Sequence, residues 1–254
     1  MIRAWAIGFL ATALVVRADE AADRLTRDGI AEFSAAFQAW DGGRFGKAAH
    51  EFKKAAALTP KSPVNFYWQG VASFHRMLQI NSQPAPDQHA ADAAMQDAID
   101  ALESAVAIDP RHAESHALLG TLCGMKIRGS MFRAIRYGPR VQEHQKQALH
   151  SGADNPRVKY LLGTGRYHTA EKAADYRTAL ATLIAAEKLF LAEAKQPPKA
   201  FEPRWGLSSC RTFIGLTYLK LGEKDHAAAY FKQALADHPN DHVAREQLAR
   251  ITLP

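Results

Sequence analysis

Between Leu221 and Asp241 the chain reads LGEKDHAAAYFKQALADHPND, with Ala227, Phe231 and Ala234 at successive helical spacings and Pro239 closing the run. Residues so spaced share one stripe of a helix, and a proline just beyond cannot extend it. The stripe is too narrow to bury itself and predicts a partner helix. It recurs as Ala48, Phe52, Ala55, Pro60, as Ala98, Leu102, Ala105, Pro110, and as Ala179, Leu183, Ala186 without the proline; a weaker copy keeps Ala148, Leu149 and a late Pro156. A second helical pattern accompanies each stripe and carries a small residue at a matching place: Ala36, Gly70, Gly120, Gly163 and Gly215. Glycine costs about 1 kcal/mol inside a helix, so its recurrence points to backbones that approach closely. The pattern predicts helix pairs over 23–41 and 45–58, 63–80 and 91–108, 112–125 and 131–150, 156–165 and 175–193, 204–221 and 224–237, with a last helix over 240–252.

Arg211–Pro239 resembles the tetratricopeptide repeat, a 34-residue helix–turn–helix unit, through Gly215, Tyr218, Gly222, Ala227, Phe231, Ala234 and Pro239. The unit ending at Pro60 is similar through Ala36, Gly43, Phe45, Ala48, Phe52 and Ala55. The resemblance covers most of residues 23–252. It implies an all-α fold: a right-handed α-solenoid of about five hairpins closed by a C-terminal capping helix whose Arg245, Glu246 and Arg250 face outward. The spacing departs from a strict array, since Pro60 to Pro110 spans 50 residues and Pro110 to Pro156 spans 46. The excess falls in 81–92, 126–140 and 166–177, with a further joint at 192–205, and is expected to form surface insertions or short extra helices projecting from the edge of the solenoid.

The N-terminus changes the expected setting. Arg3 precedes a 13-residue apolar run, Ala4–Val16, followed by Arg17-Ala18 and then Asp19-Glu20. A run that short does not span a bilayer, which needs about 20 residues. It reads as a signal peptide cleaved near Ala18, leaving a domain over 19–254, secreted to the periplasm and without a transmembrane segment. Cleavage removes Arg3 and Arg17 and lowers the formal charge from +6 to +4 (30 Lys+Arg less 26 Asp+Glu), too mild a surplus to argue for nucleic acid. Cys123 and Cys210 fall in separate predicted helices and are expected as buried thiols rather than a disulfide.

The resemblance also implies that the first helix of each pair lines a concave face. The places expected there are Phe33, Phe37 and Trp40, then Tyr67, Phe74 and His75, and later Tyr160, Tyr167 and His168. Contiguous aromatics suit a groove for a protein segment. The family's Lys/Arg/Asn clamp for a C-terminal carboxylate is replaced by Phe33, Phe37 and Tyr67, which argues against binding of that kind. A second candidate surface is KIRGSMFRAIRYGPR at 126–140, where Arg133, Arg136 and Arg140 alternate with Phe132 and Tyr137 and no acid intervenes. It suits an anionic partner, whether acidic protein or lipid head groups.

Catalytic motifs are missing. GTGRYH at Gly163–His168 contains a G-x-G but follows no strand and has no third glycine. His112 and His116 stand four apart without a visible third ligand, so no metal or other cofactor is expected. The sequence therefore predicts a non-catalytic scaffold that binds a protein partner. The alternative is an enzyme or ligand-binding protein with a pocket between the 126–140 insertion and the concave face. Self-association into a homo-oligomer through an end of the solenoid is a further expectation.

Overall fold

The computed structural model of the chain describes residues 3–127 and 129–252, with the side chains of residues 3–16 outside that set. The apolar run of the expected signal peptide, Ala4–Val16, thus lies outside the described side chains, and Arg128 of the basic stretch is likewise outside the described residues. Among the described residues the chain is all-α, with eleven helices: α1 (Arg3–Ala39), α2 (Gly42–Leu58), α3 (Pro63–Asn81), α4 (Gln88–Ile108), α5 (Ala113–Ile127), α6 (Met131–Gly152), α7 (Pro156–Thr169), α8 (Ala173–Glu193), α9 (Leu207–Lys220), α10 (Lys224–Asp237) and α11 (His242–Thr252).

Local chemistry sets the boundaries. Asp41, Asp87 and Asn155 accept hydrogen bonds from first-turn amides of α2, α4 and α7, groups that no helical carbonyl can satisfy. Pro63 and Pro156 stand in the first turns of α3 and α7, where a missing N–H costs nothing. Of the two forms expected for the long spacings, extra helix predominates. Residues 88–92, 131–140 and 173–177 continue into α4, α6 and α8, which run to 21, 22 and 21 residues against 14 for α10. The extra length between prolines is thus taken up largely as additional helical turns, and α6 continues through Gly138 and Pro139 despite their poor helix propensity. The joint before α9 is an irregular connection, held where Arg204 donates to the carbonyls of Glu193 and Gln196 and to the Glu202 carboxylate.

Two compact units make up the chain, Met1–Pro110 and Arg111–Pro254. In the first, α1 pairs with α2 and α3 with α4, while α2 also packs on α3. In the second, α5 pairs with α6, α7 with α8 and α9 with α10; α7 packs on α5, α9 on α8 and α11 on α10. The recurrent small residues mark the seams. A Cβ on Gly70 would come within 2.5 Å of Leu102, one on Gly163 within 2.7 Å of Leu183, and one on Gly215 within 2.6 Å of Phe231. Each neighbour is the central residue of its hairpin's stripe, so the glycine lets two backbones close over a large apolar side chain. In the first hairpin the residue that does this is Gly29, where a Cβ would come within 2.7 Å of the Phe52 ring, one heptad ahead of the buried Ala36. Phe52, Leu102, Leu183 and Phe231 are fully buried, each worth about 1.5–3 kcal/mol in apolar burial. At the C-terminus, Leu248 and Ile251 of α11 cover the cluster of Ala227, Phe231, Ala234 and Ala244, as a capping helix must. Cys123 and Cys210 are separate buried thiols.

Candidate functional site

The aromatic residues expected on an inner face divide sharply. In the first unit, Phe33, Tyr67, Phe74 and His75 are buried. The His75 ring sits edge-on to Phe33 at 5.1 Å, Phe74 at 5.3 Å and Phe37 at 5.7 Å, and tilts against Phe45 at 5.6 Å. Its Nδ1 lies 2.8 Å from the Val71 carbonyl, and because a carbonyl only accepts, Nδ1 carries the ring proton. Burial pulls the imidazole down to about 4, against a smaller opposing effect of that hydrogen bond. These four side chains are therefore core, and the expectation that they line an open groove is corrected: α1 lays Phe33 and Phe37 over the face of α3 that would otherwise be free. Phe37 and Trp40 are half-buried at the rim. Trp40 ends α1 in the left-handed region (φ 53), a conformation that costs a non-glycine residue about 1–3 kcal/mol. Its Nε1 donates to Ser82 Oγ at 3.0 Å, tying the ends of α1 and α3 together.

The second unit leaves more of its rings accessible. Tyr160 is buried, and burial raises its phenol well above the usual tyrosine value. Tyr167 is half-buried and His168 is exposed. Both meet Phe213 of α9 edge-to-face, at 5.5 and 5.6 Å, and Tyr167 also meets Tyr176 of α8 at 5.9 Å. Partial burial raises Tyr167 and lowers His168 relative to free side chains. The result is a shelf of four rings from three helices, each with a face or edge in water. Phe213 and Tyr176 escape sequence reasoning: Phe213 lies two residues before Gly215, off the places counted from it, and Tyr176 belongs to the second helix of its hairpin. Rings of this kind present large contact area at low cost in side-chain entropy.

Of the basic stretch, residues 126–127 end α5 and residues 131–140 begin α6, inside the helix expected over 131–150. Arg133, Arg136 and Arg140 are exposed on the N-terminal half of α6. Arg136 lies 5.4 Å and Lys126 5.7 Å from the centre of the Tyr137 ring, a cation–π arrangement.

The buried polar groups serve packing. Arg157 is only 2% exposed; its Nε donates to Glu114 at 2.8 Å, its Nη2 to Glu193, and its Nη1 to Glu193 at 3.0 Å and to the Trp205 carbonyl at 3.5 Å. Arg211 joins Glu187 at 2.8 Å and Asp237 at 2.7 Å, and Tyr230 donates to Glu187 at 3.3 Å. Burial pushes the Cys210 thiol up and keeps it protonated, with Sγ donating to the Leu183 carbonyl. His116 and His144 face one another through Nδ1 atoms 3.0 Å apart, linking α5 to α6. Among the described residues no three His, Cys, Asp or Glu side chains converge as metal ligands would.

Comparison with known proteins places this geometry. A family model described as Regulator of microtubule dynamics protein 1-3 matches residues 33–251. A tetratricopeptide repeat protein of Thermus thermophilus, TTC0263, aligns with 89% of this chain and all of its own at 19% identity and a TM-score of 0.59. Human IFIT1, solved as a dimer with PPP-AAAA, aligns over 83% of this chain and 42% of its own at 16% identity and a TM-score of 0.54. No curated protein matches the sequence. At such identities the structural likeness establishes the fold, which is that of tetratricopeptide repeat proteins.

Proposed function

This chain belongs to the Regulator of microtubule dynamics protein 1-3 family, and on that premise we propose that it is a non-catalytic scaffold that captures a segment of a partner protein on the aromatic shelf of its second unit. Helical repeats of this fold serve in general as protein-interaction scaffolds. The observation that carries it is the partly exposed ring cluster of Tyr167, His168, Tyr176 and Phe213. A cluster of that kind, unlike the sealed one around His75, offers anchoring area without first unfolding anything. Phe37 and Trp40 supply a smaller half-buried pair in the first unit. The leader-like N-terminus supports export, with Asp19 as the first residue of the mature chain. N-terminal sequencing of exported protein tests that point, and a chain still beginning at Met1 would overturn it.

Photo-crosslinking tests the docking surface. A crosslinking amino acid at His168 should trap a discrete protein partner in the cells that make the chain, and Phe213→Ala should abolish the adduct while helicity is retained. The same probe at Asp97, on the outside of α4, should trap none. Equal adducts at both positions, or an adduct indifferent to Phe213→Ala, would remove the shelf from the mechanism.

A further inference from the structure

One helix carries large apolar side chains that stand exposed among the described residues. Met131 is 78% exposed, Phe132 86% and Ile135 71%, whereas the other large hydrophobics on the exposed surface of the described residues reach at most 40%. All three lie at the start of α6, within one helical turn of one another, so they form a single face. Arg133, Arg136 and Arg140 follow the same spacing on the adjoining face and are themselves exposed. The opposite side of the helix packs on α5. No acidic residue occurs between Glu114 and Glu143, while Lys126, Arg128, Arg133, Arg136 and Arg140 all fall in that interval. The helix start is fixed by Ser130, whose Oγ accepts from the Arg133 amide, and Pro139 withholds a donor from the Ile135 carbonyl.

We propose that the N-terminal half of α6 docks on the surface of an anionic lipid bilayer. Met131, Phe132 and Ile135 enter the boundary between head groups and acyl chains, and Arg133, Arg136 and Arg140 meet lipid phosphates beside them. Two features favour a bilayer over a protein partner. The apolar side chains stand out as projecting knobs rather than lining a recess, which suits a deformable medium that needs no matching pocket. The charge is of one sign over the whole interval, as complementarity to a continuous anionic surface requires, and apolar burial adds to attraction by anionic lipid in helices of this kind. The proposed contact is peripheral, made by one face of α6; no helix among the described residues is long and apolar enough to cross a membrane.

Flotation of the full chain with vesicles tests this. The chain should float with phosphatidylcholine vesicles containing about 30% phosphatidylglycerol more than with pure phosphatidylcholine, and less as salt rises past the point where charges are screened. Met131→Ser with Phe132→Ser and Ile135→Ser, and separately Arg133→Gln with Arg136→Gln and Arg140→Gln, should each lower binding about tenfold or more. The substituted side chains are exposed, so the thermal midpoint should stay at the wild-type value, and the N-terminal apolar run is common to all variants. Phe132→Cys carrying an environment-sensitive dye should brighten on anionic vesicles and not with poly-glutamate. Absence of flotation, flotation unchanged in both triple variants, or brightening with poly-glutamate alone would overturn the proposal, the last in favour of an acidic protein partner.

Discussion

His75 and His168 stand at the same place in their repeats, five residues past Gly70 and Gly163, and meet opposite surroundings. His75 is sealed among Phe33, Phe37, Phe45 and Phe74, and burial holds it neutral. His168 is exposed, with Phe213 on one edge and Tyr167 on another. The residue one place earlier follows suit: Phe74 is buried and Tyr167 half-buried. A repeat position therefore fixes which way a side chain points and leaves open whether anything covers it. In the first unit α1 supplies two phenylalanines to that face; in the second, α9 supplies one.

The largest effect that could break this contrast is on stability. Phe33→Ala should cost about 3–5 kcal/mol, as for a buried ring that leaves a cavity, and Phe213→Ala about 1 kcal/mol, typical of a half-buried site. Urea unfolding of both variants checks it, and equal losses would mean the two clusters are buried alike. Next in size is pH. His75 takes up a proton in the unfolded chain near 6.5 but in the folded one only near 4, so between those values the unfolded state binds more protons and stability falls as pH falls. The full span amounts to about 3 kcal/mol. His75→Leu should flatten that window in pH-dependent unfolding, and His168→Gln should leave most of it in place. A smaller loss tests what the two repeats share. Gly70→Ala and Gly163→Ala should each cost about 1–3 kcal/mol, because the new methyl meets Leu102 or Leu183 inside van der Waals contact. Smallest, and of opposite sign, is Gly120→Ala. Its nearest neighbour would be His144 Cβ at 3.5 Å, so the gain in helix propensity, up to about 1 kcal/mol, should show as a raised melting temperature.

Much of this is legible in the sequence. The period of Ala, Phe and Leu places the helix pairs, and Gly70, Gly163 and Gly215 place three of the seams, while in the first hairpin the close approach is at Gly29 rather than the expected Ala36. The proline spacing marks 81–92, 126–140 and 166–177 as excess over one repeat, and spacing alone does not choose between a loop and extra turns of helix. The aromatic positions mislead for a related reason. Register assigns Phe33 and Tyr167 alike to an inner face, while the covering residues come from another helix many residues away. Arg157 is invisible on the same account, since its carboxylate partners, Glu114 and Glu193, lie 43 and 36 positions from it. Phe132 is legible as part of a basic stretch, and only its exposure makes it a surface.

Arg157 carries a consequence for how the second unit comes apart. Arrays of helix hairpins ordinarily fray from their ends, because each repeat touches only its neighbours. This guanidinium holds α5 through Glu114, α8 through Glu193 and the joint before α9 through Trp205. Releasing α5 or α8 takes a carboxylate away from a buried guanidinium, a cost that discourages partial opening. The expected result is that α5, α7 and α8 lose their structure together, as one cooperative block, with amide protons that exchange at a common rate.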